Sequence, residues 1–143
     1  TNICRDIKED FSMSRIYLPK DKITRSEMVS RKNNKLFKIT CELIALSNRY
    51  YESALEGIKY IPLNTRFSIL FALMLYQQIG FKIKNNEESF IIKKANTTKI
   101  DKFLVFIKTV FIFIYRYLLC SPKVHNQSLH SSLQGLPNTH ERL

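Results

Sequence analysis

Glycine and proline are scarce in this sequence, with 3 glycines and 4 prolines among 143 residues. A β-sandwich or β-barrel needs frequent turns, and these two residues supply many of them. Their scarcity argues against such folds and favours long helices. Hydrophobic residues make up 45% of the chain, which is enough for one modest domain with a buried core.

Cysteine is also sparse. The three cysteines, Cys4, Cys41 and Cys120, are far apart and match no zinc-binding spacing, so we expect a reducing, intracellular compartment. The first six residues already carry charges, which predicts no signal peptide at this end. The sequence begins without a methionine and without a helix-start signal. We therefore interpret it as the carboxy-terminal part of a longer protein.

Acidic residues are few. The chain has 12 Asp and Glu but 23 Lys and Arg, which gives a formal net charge of +11. Such an excess attracts anions, which include nucleic acid, anionic lipid and phosphorylated small molecules. The stretch 20–38 is especially basic and is interpreted either as a solvated surface or as a rim that faces an anion. The basic residues are scattered and form no nucleic-acid-binding motif, so no nucleic-acid partner is expected.

Helical periodicity covers most of the chain. Residues 1–11 are predicted to end a helix, and 15–19 to be extended because Pro19 disfavours a helix before it. Further helices are predicted over 34–60, 65–84 and 99–119. Thr65 is the expected cap of the third, and Thr97 or Thr98 the expected cap of the last. The helix over 65–84 is apolar almost all round, so we expect it to be buried.

The last helix is nearly all apolar from Phe103 to Cys120. It is somewhat short for a membrane span, which takes about 20 apolar residues, and Lys108 and Arg116 interrupt it. A buried or membrane-surface helix is therefore predicted. Residues 1–120 form the expected helical domain, and 121–143 a disordered tail whose histidines have no scaffold to hold a metal. These are His125, His130 and His140.

Two acids four residues apart, Asp6 and Asp10, share one face of the first predicted helix. Magnesium commonly binds one or two carboxylates together with substrate phosphates. Asn2 lies one turn earlier on this face and could add an oxygen, while Arg5 could hold a phosphate oxygen. The alternative is a solvated acidic face beside Lys8, and spacing alone does not separate the two.

The run NICRDIKEDFSMSRIYLP closely resembles the second aspartate-rich motif of the squalene/phytoene synthase family. That motif has the form N-x-x-R-D-x-x-E-D, followed by a short exit and R-x-Y-L-P. Downstream, the segment from Tyr51 to Arg66 is similar to the family's Y-x-x-A-x-x-G-x-x-x-L-P-x-x-x-R. Ala72, Tyr76 and Ile79 resemble a further stretch. The resemblance covers roughly residues 1–110.

The resemblance implies an all-α fold, the isoprenoid synthase-type helical bundle, here without its amino-terminal helices. It also implies Mg²⁺, with Mn²⁺ as a possible substitute, bound by Asp6, Asp10 and Asn2. By the same resemblance, the residues expected to bind diphosphate are Arg5, Arg15, Lys93 and Lys94. Those expected to line the reaction cavity are Tyr17 and Tyr76. For Arg66 a structural role is preferred. The family's first aspartate-rich motif is not found in this sequence, so the chain alone could be inactive.

The function implied is head-to-head condensation of two geranylgeranyl diphosphates to phytoene, in a cytoplasmic enzyme peripherally attached to a membrane. Squalene or dehydrosqualene synthesis from farnesyl diphosphate is the alternative, but no glycine-rich dinucleotide fingerprint is present for the reductant that squalene requires. A non-catalytic membrane-surface protein is the second alternative. The sequence does not predict the oligomeric state.

Overall fold

A computed structural model of the protein describes residues 1–19, 21–28, 34–87, 94–119 and 135. These residues form helices and connecting segments, and none of them is in a β-strand, which confirms the all-α expectation. The predicted tail over 121–143, apart from residue 135, lies outside the described residues, as does Lys93. The helices are α1 (Asn2–Ser12), α2 (Arg25–Met28), α3 (Asn34–Gly57), α4 (Leu63–Lys84) and α5 (Lys99–Ile112).

The chain divides into two compact units. The first comprises Thr1–Leu46 and Tyr76–Thr97. Its core takes Cys4 and Ile7 from one face of α1 and packs them with aliphatic side chains that come chiefly from α3 and α4. Because Cys4 and Ile7 are one turn apart, α1 turns Asp6 away from the core, whereas Asp10 lies at the edge of the core beside Ile7 and Leu18. The other buried members of this core are Leu18, Ile23, Leu36, Ile39, Ile44, Ile79 and Ile83.

A tight backbone turn ends α1. The Ser14 N–H donates to the Phe11 carbonyl at 3.0 Å, and the Arg15 N–H donates to the Asp10 carbonyl at 2.8 Å. This pair of bonds is the Schellman arrangement, in which the residue after the helix adopts a left-handed conformation. Ser14 does so, with a φ of 59°. The turn leads the chain back, so that Leu18 reaches the core of the first unit.

The short helix α2 was not predicted, although its signal is present in the sequence as Thr24-Arg25-Ser26-Glu27. The Thr24 N–H donates to Glu27 Oε2 at 2.8 Å, and the Glu27 N–H donates to Thr24 Oγ1 at 3.4 Å. This reciprocal pair is a capping box. The prediction treated this stretch only as a basic surface and therefore missed the capping pattern, although the pattern is visible in the local sequence.

The second unit comprises Ser47–Leu75 and the described residues from Thr98 onward. Its buried core contains Ile58, Leu70, Leu73, Met74, Val105 and Tyr117. The Phe67 ring also makes edge-to-face contacts with the Phe106 and Phe113 rings, at centroid distances of 5.8 and 5.4 Å. Such contacts add to the stabilisation from apolar burial.

The predicted start of α4 was wrong, because Thr65 was expected to cap the helix and the helix begins before that residue. The helix begins at Leu63, and the Pro62 carbonyl accepts the backbone N–H groups of Thr65 and Arg66, each at 3.1 Å. The Thr65 hydroxyl donates to that same carbonyl instead of capping the helix. Complete burial of α4 was also wrong, because Ile69 is 43% exposed and Phe81 is 60% exposed.

The last helix begins as predicted at Lys99. Of the two candidate caps the structure selects Thr98, whose side chain forms a capping box with Asp101. The α-helix ends at Ile112, earlier than the predicted Leu119, and a π-helical turn over Phe113–Tyr117 follows. One face of α5 buries Val105 and Thr109, whereas Phe103 and Phe111 on the other are 63% and 70% exposed. Across the described part of the chain, no helix is both long and apolar enough to cross a membrane.

Candidate functional site

The exposed side of α1 carries a network of opposite charges. Arg5 binds the Asp6 carboxylate with two hydrogen bonds, Nε to Oδ1 at 2.9 Å and Nη2 to Oδ2 at 2.8 Å. Lys94 Nζ lies 2.8 Å from Asp6 Oδ1 and 2.5 Å from Glu9 Oε2. Bidentate Arg–carboxylate pairs are among the stronger charge-assisted contacts in proteins. The structure thus brings together three of the predicted site residues, Arg5, Asp6 and Lys94.

This network changes the acid–base properties of its members. The hydrogen bonds from Arg5, assisted by Lys94, lower the pKa of Asp6 to about 2. In return, the hydrogen bond to Asp6 raises the pKa of Arg5 and that of Lys94. All three groups are therefore charged at neutral pH.

Arg5 and Lys94 also line a pocket of about 140 Å³, together with Lys8 and Glu9. Three cations and a single acid give this pocket a net positive lining, which suits an anionic group such as a phosphate. Tyr76 on α4 is 40% exposed and lies near enough to Arg5 to contribute to its raised pKa. Tyr76 thus belongs to the surroundings of the pocket, although it does not line it.

Three further predicted residues surround a second, much smaller cleft. Asp10, Arg15 and Tyr17 all line this cleft, whose volume of about 10 Å³ leaves room for one water molecule at most. The turn after α1 produces this grouping, because its hydrogen bond joins the main chain of Arg15 to that of Asp10. Tyr17 is 57% exposed. Asn2 is the first residue of α1 and is exposed.

The oxygen donors of α1 suit a hard divalent cation. Asp6 and Asp10 lie one turn apart on one helix, which places their Cβ atoms about 5–6 Å apart. Within the described residues, no group of three or more His, Cys, Asp and Glu side chains could hold a metal ion. Magnesium, however, is often held by one or two carboxylates plus substrate phosphates. The donor set therefore fits a metal bound together with a diphosphate rather than in an all-protein cage.

For two residues, Glu9 and Arg66, the role seen in the structure can be compared with the prediction from sequence. Glu9 received no predicted role, although it lies one turn from Asp6 and contacts the same lysine. For Arg66 the preferred structural role is confirmed, because its side chain is 2% exposed and donates to main-chain carbonyls. These acceptors belong to Lys59, Ile61 and Tyr117.

Comparison with known families matches residues 1–102 to the family described as squalene/phytoene synthase. This chain belongs to that family. The matched range contains all of the predicted site residues, from Asn2 to Lys94.

Among curated proteins of the family, the 15-cis-phytoene synthase of Enterobacter agglomerans is 35% identical over 89 residues, 58% of this chain and 30% of that protein. The phytoene synthase of Arthrospira platensis is 34% identical over 93 residues, 61% of this chain and 30% of that protein. The chloroplastic phytoene synthase 2 of Oryza sativa subsp. japonica is 29% identical over 110 residues, 73% and 28% of the two chains. The chain thus spans less than a third of each of these three relatives, and no solved structure matches it.

Proposed function

We propose that the whole protein is a phytoene synthase-like prenyltransferase that joins two geranylgeranyl diphosphates head to head through a cyclopropyl diphosphate intermediate. Family membership supports this proposal, as do the names of the relatives described above. The observation that carries it is the position of Asp6 beside a cation-lined pocket on the family's acidic helix. That arrangement suits a diphosphate held next to metal-binding carboxylates.

The proposed roles follow from charge and position. Arg5 and Lys94 bind diphosphate oxygens in the 140 Å³ pocket, and Arg15 does so beside Asp10. Lys93 has the same proposed role on the resemblance alone. Mg²⁺, or Mn²⁺ in its place, held by Asp6, Asp10 and Asn2, would supply the positive charge that stabilises a departing diphosphate.

Ionisation of an allylic diphosphate leaves a carbocation that must be protected from water. Tyr17 and Tyr76 are proposed to line the cavity in which this occurs, because aromatic faces stabilise positive charge. Both tyrosines are exposed, at 57% and 40%, so their rings are accessible to an apolar substrate. Loss of a proton from the rearranged cation then gives phytoene.

The metal-ligand proposal is tested in the whole protein by Asp6→Ala and Asp10→Ala. Each variant should lose magnesium-dependent release of diphosphate from geranylgeranyl diphosphate, since the oxygen donors for the metal are gone. Asp21→Ala is the matched control, because Asp21 is exposed and lies outside the acidic helix. Near-normal turnover in both α1 variants would remove the proposed ligands.

The product separates the proposed branch from its alternative. The whole protein incubated with geranylgeranyl diphosphate and Mg²⁺ should yield phytoene in the absence of NADPH. If the protein consumes farnesyl diphosphate but not geranylgeranyl diphosphate, the result would instead support a squalene or dehydrosqualene synthase. Product analysis by chromatography with mass detection distinguishes these outcomes, because the hydrocarbons differ in chain length.

Peripheral attachment to a membrane surface is proposed from α5. Its exposed apolar side chains, which include Phe103 and Phe111, occur on a helix that also carries Lys102 and Lys108. Apolar faces flanked by lysines bind interfaces that contain anionic lipid. The protein should sediment with vesicles containing phosphatidylserine, and Phe103→Ser/Phe111→Ser should weaken this sedimentation. Equal sedimentation of the variant and the unmodified protein would contradict the proposal.

A further inference from the structure

Lys94 makes two contacts that no local pattern predicts. Its Nζ lies between Asp6 Oδ1, at 2.8 Å, and Glu9 Oε2, at 2.5 Å. These acids are one turn apart on α1, whereas Lys94 precedes α5 and is more than 80 residues away along the chain. The lysine therefore bridges two acids on the same helix, including one proposed metal ligand.

The Asp6 carboxylate is already compensated without a metal. Its Oδ1 accepts from Arg5 Nε and also contacts Lys94, and its Oδ2 accepts from Arg5 Nη2. Of these two cations, Lys94 is the one able to leave. Its side chain is 39% exposed, on a segment without helical structure, and an ammonium on a four-carbon stem reorients readily. Arg5 is fixed by a planar two-bond contact and is 24% exposed.

A divalent cation at Asp6 would lie close to the Lys94 ammonium and be repelled by it. A diphosphate changes this balance, because its oxygens give the lysine an alternative acceptor in the pocket that it already lines. Glu9 can retain the ammonium near the pocket while its contact with Asp6 is exchanged.

We propose that Lys94 is a positioning residue that occupies the Asp6 carboxylate until a metal and a diphosphate arrive together, and so weakens binding of a free divalent cation. This inference rests on the proposed function, because it takes Asp6 as a metal ligand. Its consequence is ordered loading: the metal binds well only as its diphosphate complex, and Lys94 then moves from carboxylate to phosphate.

The test measures Mn²⁺ binding to the whole protein by the electron paramagnetic resonance signal of free Mn²⁺. The titration is run with Mn²⁺ alone and again with inorganic pyrophosphate. Lys94→Met removes the charge and keeps most of the stem, and should bind Mn²⁺ alone roughly tenfold more tightly, as expected for one unit charge about 5 Å from the ion in a hydrated site. With pyrophosphate this advantage should disappear or reverse.

Controls separate this effect from a change in overall charge or fold. Lys82→Met removes a lysine of the same unit whose Nζ donates to the Asn96 carbonyl, and should bind Mn²⁺ as the unmodified protein does. Lys94→Arg keeps the charge and should also be unchanged. Lys94→Gln provides a second neutral variant if Lys94→Met folds poorly, as judged by circular dichroism.

The outcomes distinguish this inference from the proposed function. If Asp6→Asn abolishes Mn²⁺ binding but the neutral Lys94 variants bind as before, the metal ligand stands and the inference is overturned. If Asp6→Asn binds Mn²⁺ normally, Asp6 is not a ligand, and both the proposed role of Asp6 and the inference about Lys94 fall. An equal gain in Lys82→Met would also overturn the inference, because the effect would then be one of general charge.

Discussion

Arg66 provides the clearest test of what holds the second unit together. The residue is 2% exposed, and its guanidinium donates to three main-chain carbonyls. Nη2 reaches the Lys59 carbonyl at 2.9 Å and the Ile61 carbonyl at 2.8 Å, while Nη1 binds the Tyr117 carbonyl. One side chain therefore joins the segment before α4 to the π-helical turn after α5.

The cost of its removal can be worked from these contacts. A hydrogen bond to a charged group contributes about 1.5–3 kcal/mol, and a buried carbonyl left without a donor costs about 1–3 kcal/mol. Arg66→Met keeps the apolar stem and removes the donors, so these effects overlap and do not simply add. We expect the free energy of unfolding to fall by about 3–5 kcal/mol, within the range of severe single substitutions.

The matched control is Arg116→Met in the same unit. The Arg116 side chain is 49% exposed and pairs with Glu56, so its loss should cost about 0.2–1 kcal/mol. Urea unfolding followed by circular dichroism at the helical band measures both changes. Equal midpoints for Arg66→Met and Arg116→Met would refute the claim that the buried contacts of Arg66 stabilise this unit.

Two further predictions concern the first unit. Ser14→Gly should raise the free energy of unfolding by about 0.5–1 kcal/mol, because glycine adopts the left-handed conformation without steric cost; a loss in urea unfolding would contradict this. Hydrogen bonds from Lys35, and secondarily from Thr24, lower the pKa of Glu27 to about 2. Since the folded pKa lies below the ordinary 4.5, this stabilisation should be present above pH 4.5 and lost as the pH falls through 2. In carboxyl NMR titrations Lys35→Met should raise the Glu27 midpoint, and an unchanged midpoint would refute the cause.

Local chemistry predicted the helices well where the sequence carries its own signals. The end of α1, the start of α3 and the capped start of α5 follow from periodicity and threonine. The predicted end of α3 at residue 60 was three residues late, because the α-helix ends at Gly57 and a 3-10 turn over Ile58–Tyr60 follows. The early end of α5 does not follow from local signals, because it depends on distant partners. The Tyr117 hydroxyl donates to the Leu55 carbonyl at 2.7 Å, and the Tyr117 carbonyl accepts from Arg66. These contacts join residues more than 50 positions apart, which no window of sequence can contain.

The candidate site likewise has one part that the sequence predicts and one part that only the structure shows. Helical spacing places Asp6 and Asp10 on one face, and the resemblance supplies a chemical meaning for that face. The contact of Lys94 with Asp6 and Glu9 depends on how the chain folds back onto α1, and only the structure shows it. The predicted burial of α4 was wrong for a related reason. Apolar residues all round a helix do not show which of its faces will be covered, and Phe81 lies largely in solvent.

The turn after α1 has a consequence for how this part of the molecule tolerates change. The bonds that return the chain join peptide groups, so residue 15 stays beside Asp10 without help from the arginine side chain, provided that its replacement keeps a backbone N–H. Position 15 can accordingly accept a different charge, or a cysteine bearing a spectroscopic label, while its Cα remains anchored. A spectroscopic label attached at position 15 would therefore report on changes around the acidic helix α1 from a fixed backbone position.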